Sequence, residues 1–344
     1  MSVTLDRPSS TAILLGHSID YRRLPWTSRL VRDYCHSFDR LYPFFVGSPS
    51  DPAVWAETIR TRQARPTAHA EIGAVVGAQL TSRLAPSAAI ASAEKLTNPE
   101  TVAIVTGQQA GLFGGPLFAL LKALTVVRLA RTVSAEHNVT AVPVFWVHAD
   151  DHDLEEISNC SVLTPDFEFE TITIPHDSSS SQPASAVRLN DSIVSASNRL
   201  RELLPQTEFT DSVFNELRNA YQPGRGMVEA FALWMDTLLG PHGLVVFDAS
   251  DTAVKSIARP LFQLELDTAG ETSRLATETG SDLIAKGYHA QVTASQHSTG
   301  LFSLSDGRQA IRLTTDKRTL ERDFEIGGKV LSPQQMNEQL AKNP

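Results

Sequence analysis

Two short segments of this 344-residue chain concentrate the residue types that carry out chemistry. The first, residues 107–116, contains four glycines and two glutamines, and we call it the glycine turn. The second, residues 148–153, contains two histidines and three aspartates, and we call it the acidic turn. Glycines permit close approach of backbone to a ligand, while imidazole and carboxylate groups transfer protons or bind metals.

The glycine turn is a candidate anion-binding segment. Residues 116–131 predict a helix directly after it, whose first N–H groups face an incoming anion. The turn matches neither a P-loop nor a dinucleotide-binding fingerprint, so a tight turn without a ligand stays open. Lys122 either contacts the same ligand or is a solvated side chain. The candidate binding residues of this segment are Gly107, Gln108, Gln109, Gly111, Gly115 and Lys122.

The acidic turn is compatible with two kinds of chemistry. His152, with Asp151 or Asp153 beside it, is suited to accept a proton from an attacking amine. The same side chains could instead ligate zinc or manganese. Asp153 also precedes a helical stretch, so it is either functional or an N-cap. We take His152, Asp151 and Asp153 as the candidate catalytic residues and assign no metal ligand.

Both turns follow predicted buried strands, at residues 102–105 and 142–147. The order strand, helix, strand indicates a βαβ unit, and residues 243–248 predict a third parallel strand. Ligands of open α/β sheets bind at the carboxyl edge of the strands, where both turns should lie. We therefore predict an α/β fold with a parallel sheet.

We divide the whole chain into four predicted segments. They are an N-terminal helical segment that packs on the core (1–100), the first part of the core (101–156), an inserted connecting module (157–222) and a second part of the core (223–344). The further helices are predicted from Pro52 onwards, at 69–84, 86–96, 190–204, 208–221 and 226–239, after Asp251 and from Pro333. A strand is predicted at 167–174 and a loop at 178–181.

Two β-pairs are predicted near the end of the chain. One joins residues 288–292 to residues 301–304, and the other joins 309–313 to 324–326. His289 and Gln291 would share one face of the first strand, where they either line the cleft or face water.

Composition excludes several classes of function. The net charge is −9 and no dense basic run occurs, so we expect no nucleic-acid partner. The apolar patch at residues 11–16 is short, and no run approaches the roughly 18 apolar residues of a membrane span. Cys35 and Cys160 are interpreted as buried bystanders in a reducing compartment, so we expect a cytoplasmic protein.

The residues of both turns, with their flanks, resemble the BshC family, the cysteine ligases of bacillithiol biosynthesis. The similarity is carried by Thr-Gly-Gln-Gln-Ala-Gly-Leu at 106–112, Gly-Pro-Leu at 115–117, Pro-Val-Phe-Trp-Val at 143–147, Asp-Asp-His-Asp at 150–153, and the segments 243–248 and 288–292. The family pattern has Glu where this chain has Asp150, and His148 is an addition to it.

The resemblance implies a Rossmann-like core related to class I aminoacyl-tRNA synthetases and nucleotidyltransferases, with inserted modules. It implies the last step of bacillithiol biosynthesis, in which the carboxyl group of cysteine joins the amine of glucosaminyl-malate. ATP is the expected source of energy, because amide formation from a free carboxylate in water needs coupling; the metal requirement stays unknown. Family members continue past residue 344 into more of the core and a coiled coil that forms a homodimer.

Two other functions stay open at this point. The acidic turn could serve a metal-dependent hydrolase. The chain could also be a non-catalytic nucleotide-binding fragment that acts with a separate partner.

Overall fold

The computed structural model describes residues 19–65, 67–176, 182–268, 270–292, 297–305, 307–315 and 322–342. The predicted loop at 178–181 and the apolar patch at 11–16 lie outside these ranges. The helices are α1 (Arg29–His36), α2 (Pro52–Gln63), α3 (His69–Ser82), α4 (Ser87–Lys95), α5 (Leu117–His137), α6 (Leu154–Ile157), α7 (Ser192–Leu203), α8 (Thr210–Ala220), α9 (Met227–Leu239), α10 (Thr252–Thr268), α11 (Glu271–Ala285) and α12 (Pro333–Lys342). The strands are β1 (Val102–Gln108), β2 (Ala141–Val147), β3 (Asn159–Leu163), β4 (Phe169–Thr173), β5 (Val245–Asp248), β6 (Ser298–Ser303), β7 (Gln309–Thr315), β8 (Arg322–Ile326) and β9 (Lys329–Leu331).

The central element is a parallel sheet in the order β1-β2-β5. The predicted βαβ unit and third parallel strand are therefore confirmed. β1 runs three residues further than predicted, so Gly107 and Gln108 belong to the strand. α5 extends six residues beyond its predicted end and stops at Asn138, whose positive φ of 51° is typical of a left-handed helix cap.

Helices cover both faces of this sheet, which explains why its central strand β2 is apolar along its whole length. On one face, α5 and α9 pack against Phe145 and Val147, and the Phe145 ring meets that of Phe231 at 5.7 Å. On the other face, α3 and α4 cover Val144 and Val245. The sheet is thus the middle layer of three, and its strand ends are held between the helices.

Two buried polar side chains, from Gln79 of α3 and from its C-cap residue Arg83, attach this helix to β5. The Gln79 amide donates to the carbonyl of Asp248 at 2.9 Å and accepts from the N–H of Asp248 at 3.0 Å. Arg83 donates to the carbonyl of Val246 at 2.7 Å and to Asp236 of α9 at 2.8 Å. These bonds satisfy backbone groups on the strand at one side of the sheet and position its carboxyl end.

The inserted segment forms a hairpin with helices beside it. β4 lies within the strand predicted at 167–174, and it pairs antiparallel with β3, a strand that the sequence analysis missed. α7 and α8 lie within the two helices predicted there. The division of the chain at residues 157 and 222 stays a prediction.

The last part of the chain forms a separate antiparallel sheet, β6-β7-β8-β9, with its own apolar cluster around Ile311 and Phe324. The predicted pairing of 309–313 with 324–326 is confirmed by β7 and β8, and α12 begins at Pro333 as predicted.

The predicted pairing of 288–292 with 301–304 is wrong. Residues 288–292 form no strand, and β6 pairs with β7 instead. The reason lies in Tyr288, which is buried: its hydroxyl donates to Asp33 at 2.8 Å and its ring meets that of Phe44. These contacts direct the segment towards α1 rather than towards a strand.

Two other observations bear on the sequence analysis. No helix of the described residues is both long enough and apolar enough to cross a membrane. Cys35 is exposed, so its interpretation as a buried bystander is wrong, whereas Cys160 is half-buried and burial raises its thiol pKa. Cys35 lies on α1, whose other surface holds the buried Asp33.

Candidate functional site

The carboxyl ends of the three parallel strands meet side by side. Gln108 at the end of β1 is paired with Val147 at the end of β2, and Val147 is paired with Asp248 at the end of β5. The N–H of His148 donates to the carbonyl of Gln108 at 3.0 Å and continues this pairing by one residue. The register therefore places the glycine turn, the acidic turn and the start of α10 at one edge.

The glycine turn is tightly closed on itself. The N–H of Gly111 donates to the carbonyl of Gln109 at 3.0 Å, and the N–H of Gly115 donates to the carbonyl of Leu112 at 3.0 Å. A Cβ at Gly111 would lie 2.5 Å from the Cα of Gly115, so the turn requires glycine there. Phe113 adopts a positive φ of 54° between them. These N–H groups are already used, which leaves the first turn of α5 as the source of backbone donors for an anion.

Tyr221 holds the glycine turn from the inserted segment. Its buried hydroxyl donates to the carbonyl of Gly111 at 2.8 Å and accepts from the N–H of Gly114 at 2.9 Å. Its ring lies 5.3 Å from that of Phe113, and burial raises the pKa of its phenol. No local motif in the sequence marks this residue, so it was not predicted.

The two glutamines of the turn have different environments. Gln109 is buried, and its amide nitrogen donates to Asp151 at 2.6 Å. Gln108 is more open: its amide donates to Glu156 at 3.1 Å, and its oxygen accepts from Lys122 at 2.9 Å. The glycine turn, α5 and α6 are thereby connected through side chains.

Asp151 and His152 form the centre of the acidic turn. One carboxylate oxygen of Asp151 accepts the N–H of His152 at 2.8 Å, and the His152 Nδ1 atom lies 3.4 Å from the same oxygen. Burial acts to raise the pKa of Asp151, but the bonds from Gln109 and His152 and the charge of Arg308 outweigh it, so the pKa is lowered. Asp151 is ionised at neutral pH, and the His152 ring is about half exposed beside it.

The other aspartates of the turn have structural partners. Asp150 forms an ion pair with Lys255 of α10, while its second oxygen is enclosed without a partner. Asp153 accepts the N–H of Glu156 at 3.1 Å and is the N-cap of α6. The capping role considered from the sequence is therefore the one that the structure shows for Asp153.

His148 lies across the end of β1. A Cβ at Gly107 would lie 2.9 Å from the His148 Nε2 atom and 2.6 Å from the carbonyl oxygen of Trp146. Asp150 and Asp153 thus have partners outside the contact between Asp151 and His152. Among the described residues, no group of three His, Cys, Asp or Glu side chains converges to hold a metal ion. This geometry offers no support for the metal-site interpretation.

His289 and Gln291 are not brought to this edge by any described contact. Both are exposed, and they follow Tyr288 in the irregular segment beside α11. Residues that the sequence analysis did not select complete the site instead: Gln79, Glu156, Tyr221, Lys255 and Arg308. All but Glu156 lie outside the two turns and the elements that flank them, so only a tertiary contact reveals them.

A family model supplies independent evidence. The model for the N-terminal Rossmann-like domain of the bacillithiol biosynthesis protein BshC matches residues 17–344. The chain belongs to the BshC family. The match covers both turns and the antiparallel sheet.

Curated BshC relatives agree with this assignment. The protein named "Putative cysteine ligase BshC" from Koribacter versatilis (strain Ellin345) is 33% identical over 333 residues, which is 96% of this chain and 60% of that protein. The protein of the same name from Salinibacter ruber is 36% identical over 287 residues, 82% of this chain and 51% of that protein. That from Chlorobaculum tepidum is 37% identical over 229 residues, 64% of this chain and 39% of that protein. The chain spans about half the length of these BshC relatives.

Proposed function

We propose that this chain carries the site of an amide-forming ligase, which joins cysteine to glucosaminyl-malate in the last step of bacillithiol biosynthesis. The observation that carries the proposal is the common edge of β1 and β2, where Gln109, Asp151 and His152 lie in contact. Membership of the BshC family and the names of its relatives support a ligase.

His152 is the proton acceptor in this proposal. The amine nitrogen attacks the carboxyl carbon of cysteine, a C–N bond forms, the bond from that carbon to the leaving oxygen breaks, and the amine proton moves to the imidazole. The ionised carboxylate of Asp151, 3.4 Å from the His152 Nδ1 atom, stabilises the imidazolium that results. The exposed half of the ring faces the solvent, from which the substrates enter.

Gln109 positions this pair and is too buried to bind substrate. Its bond to Asp151 holds the carboxylate in place. Gln108 is nearer the surface, and its amide group can exchange its bonds to Lys122 and Glu156 for bonds to a substrate. The two adjacent glutamines therefore divide the tasks of positioning and binding.

The residues at this edge fit the phosphate groups of ATP. The ammonium group of Lys122 lies against the glycine turn and 5.1 Å from the ring of Phe118, in the first turn of α5. A cation and a helix N-terminus are both suited to hold phosphate oxygens. ATP would supply the leaving group on the cysteine carboxyl. A homodimer and a cytoplasmic location belong to the same proposal.

A direct assay tests the ligase proposal. The 344-residue chain is incubated with cysteine, glucosaminyl-malate and ATP, and bacillithiol is measured by mass spectrometry. We expect product from the wild type and a reduction of about 10²-fold or more for His152→Ala, the typical effect of losing a general base. His242→Ala is the matched control, because His242 is an exposed histidine that precedes β5, at the opposite edge of the sheet. No product from the wild type, or equal activity of both variants, contradicts the proposal.

One surface favours a second candidate, in which the chain acts only together with a further polypeptide. Large apolar side chains are exposed along the first two turns of α5, namely Leu117, Phe118, Leu121 and Leu124. Exposed apolar groups in such proximity mark interaction surfaces. This candidate predicts no product from the chain alone and product when the remaining part of a longer relative is added. A chain that is active alone contradicts it.

A further inference from the structure

Arg308 is a cation of the antiparallel sheet that lies against the acidic turn. It is in the connection between β6 and β7, and its Nη1 atom is 3.4 Å from the Nδ1 atom of His152, 156 residues away in sequence. Its guanidinium carbon lies 3.5 Å from the centre of the Phe302 ring. The proposed ligase mechanism assigns no task to this residue.

The environment of Arg308 is suited to binding an oxyanion. A guanidinium group has five N–H donors in a planar fork that matches the two oxygens of a carboxylate or phosphate. The ring of Phe302 lies against that plane and restricts its orientation. The bond to His152 is long and uses only one edge of the fork. Arg308 is therefore held in place with donor capacity left for a ligand.

The contacts of His152 conflict with each other. Its Nδ1 atom lies 3.4 Å from both Arg308 Nη1, which only donates, and Asp151 Oδ1, which only accepts. A neutral imidazole nitrogen cannot donate and accept at once. If Nδ1 accepts from Arg308, the ring proton is on Nε2 and Nε2 cannot take a proton. If Nδ1 donates to Asp151, Nε2 is free to act as a base.

We propose that Arg308 binds an oxyanion of the substrates, and that this binding draws its guanidinium from His152 and so selects the tautomer with a free Nε2. The proposal rests on the proposed ligase function, and it identifies the substrate chemistry that this part of the site recognises. The oxyanion has two sources there, the carboxylates of the malyl group and the phosphates of the nucleotide. In either case the base becomes active only when the anion is in place.

Nitrogen NMR of the imidazole tests this without turnover. The 344-residue chain is labelled with ¹⁵N-histidine, and the ring signals of His152 are assigned by their loss in His152→Gln. Spectra are recorded at neutral pH for the free protein, with malate and with inorganic phosphate. We expect the Nε2–H form in the free protein and a shift to the Nδ1–H form with at least one of the two anions. A response to malate alone assigns Arg308 to the malyl group, and a response to phosphate alone assigns it to the nucleotide.

The variants separate Arg308 from general effects. Arg308→Met should show the Nδ1–H form without anion and bind the responding anion about 10-fold or more weakly, since a charge-assisted bidentate contact is lost. Arg308→Lys keeps the positive charge but loses the planar fork of donors. Its affinity for the anion should therefore lie between that of the wild type and that of Arg308→Met. Arg312→Met is the matched control, because Arg312 is an exposed arginine of the neighbouring strand β7, and it should behave as the wild type.

Three results would overturn the proposal. They are a His152 tautomer that neither anion changes, an anion response that persists in Arg308→Met, or an equal loss of response in Arg312→Met. Because the spectra need no reaction, a failed ligase assay leaves this test intact, and a failed test leaves the assay of His152 intact.

Discussion

The hydroxyl of Tyr221 donates a hydrogen bond to the carbonyl of Gly111 at 2.8 Å, across 110 residues of sequence. The same oxygen accepts the N–H of Gly114, so one buried side chain satisfies both sides of the glycine turn. The inserted segment thereby determines the shape of a turn that belongs to the parallel-sheet core.

Tyr221→Phe should lower the free energy of unfolding. The substitution keeps the ring against Phe113 but removes the hydroxyl from the Gly111 carbonyl and the Gly114 N–H, which then keep only their 3.2 Å bond to each other. Such a loss costs about 0.5–1.5 kcal/mol for each hydrogen bond removed. Urea titration followed by circular dichroism measures it. Tyr42→Phe, which removes a hydroxyl from an exposed tyrosine, should change stability by less than about 0.5 kcal/mol; an equal effect would show that the buried bonds contribute nothing.

Gly107→Ala should disturb the end of β1. Its Cβ would lie 2.6 Å from the Trp146 carbonyl oxygen and 2.9 Å from the His148 imidazole, so backbone on β2 must move. We expect a loss of stability of about 1–3 kcal/mol, as for overpacking elsewhere, together with a change in the NMR signals of His148. Gly77→Ala is the control, because nothing lies within 4 Å of its Cβ position on α3. That change should be neutral or stabilising by up to about 1 kcal/mol, and a Gly107→Ala protein as stable as Gly77→Ala would contradict the expected clash.

Gln109→Glu should be destabilising at neutral pH and less so in acid. The new carboxylate would replace the amide that lies 2.6 Å from Asp151, so two like charges would meet in a buried position. Protonation of either one removes the repulsion, because a shared proton then bridges them. Thermal unfolding at pH 7 and pH 4 measures the difference from the wild type.

The chain offers a matched pair for this experiment. The amide of Gln334 donates to the carboxylate of Glu338 at 3.2 Å, as that of Gln109 does to Asp151, but this contact lies on the exposed surface of α12. Gln334→Glu should therefore have a small effect at both pH values, because solvent screens the two charges. Similar losses for both variants at pH 7 would argue against the buried contact between Gln109 and Asp151.

Asp236 should make the protein less stable as the pH rises from about 4 to 6. Burial raises the pKa of this carboxyl to about 6, although Arg83 opposes the shift, and one of its oxygens is buried without a partner. A pKa that is higher in the folded state means that the folded protein binds more protons in this range. The stabilisation from protonated Asp236 is fully present below the pKa that this carboxyl has in the unfolded state. It is lost as the pH rises through the pKa of the folded state.

Asp236→Asn removes this titration and isolates its effect. The stability of the wild type minus that of the variant, from urea titrations at several pH values, should fall between pH 4 and pH 6. Other carboxylates contribute to both proteins and cancel in the difference. A difference that stays constant or rises over this range would show that the pKa of Asp236 is not raised.

Sequence periodicity predicted most of the parallel-sheet region and its helices, but it failed where a side chain found a distant partner. Apolar runs and turn residues act locally, so the βαβ unit around α5 and the third strand β5 were predicted. Residues 288–292 have the alternation of a strand, yet the burial of Tyr288 against Asp33 outweighs that preference. Strand β3 was not predicted, because it forms by pairing with β4 and not from a pattern within its own residues.

The sequence by itself determined which two turns hold the chemistry, because glycines, glutamines, histidines and aspartates are recognisable by type and spacing. It also determined that both lie at one edge, since parallel strands joined by a helix end on the same side. Only the tertiary structure decided what each side chain does there. Asp153 became a helix cap, Gln109 a support for Asp151, and Tyr221 and Arg308 joined from segments 107 and 156 residues away from the residues they contact. Hydrogen bonds depend on distances of a few ångströms, which the packing of distant elements sets and no local pattern records.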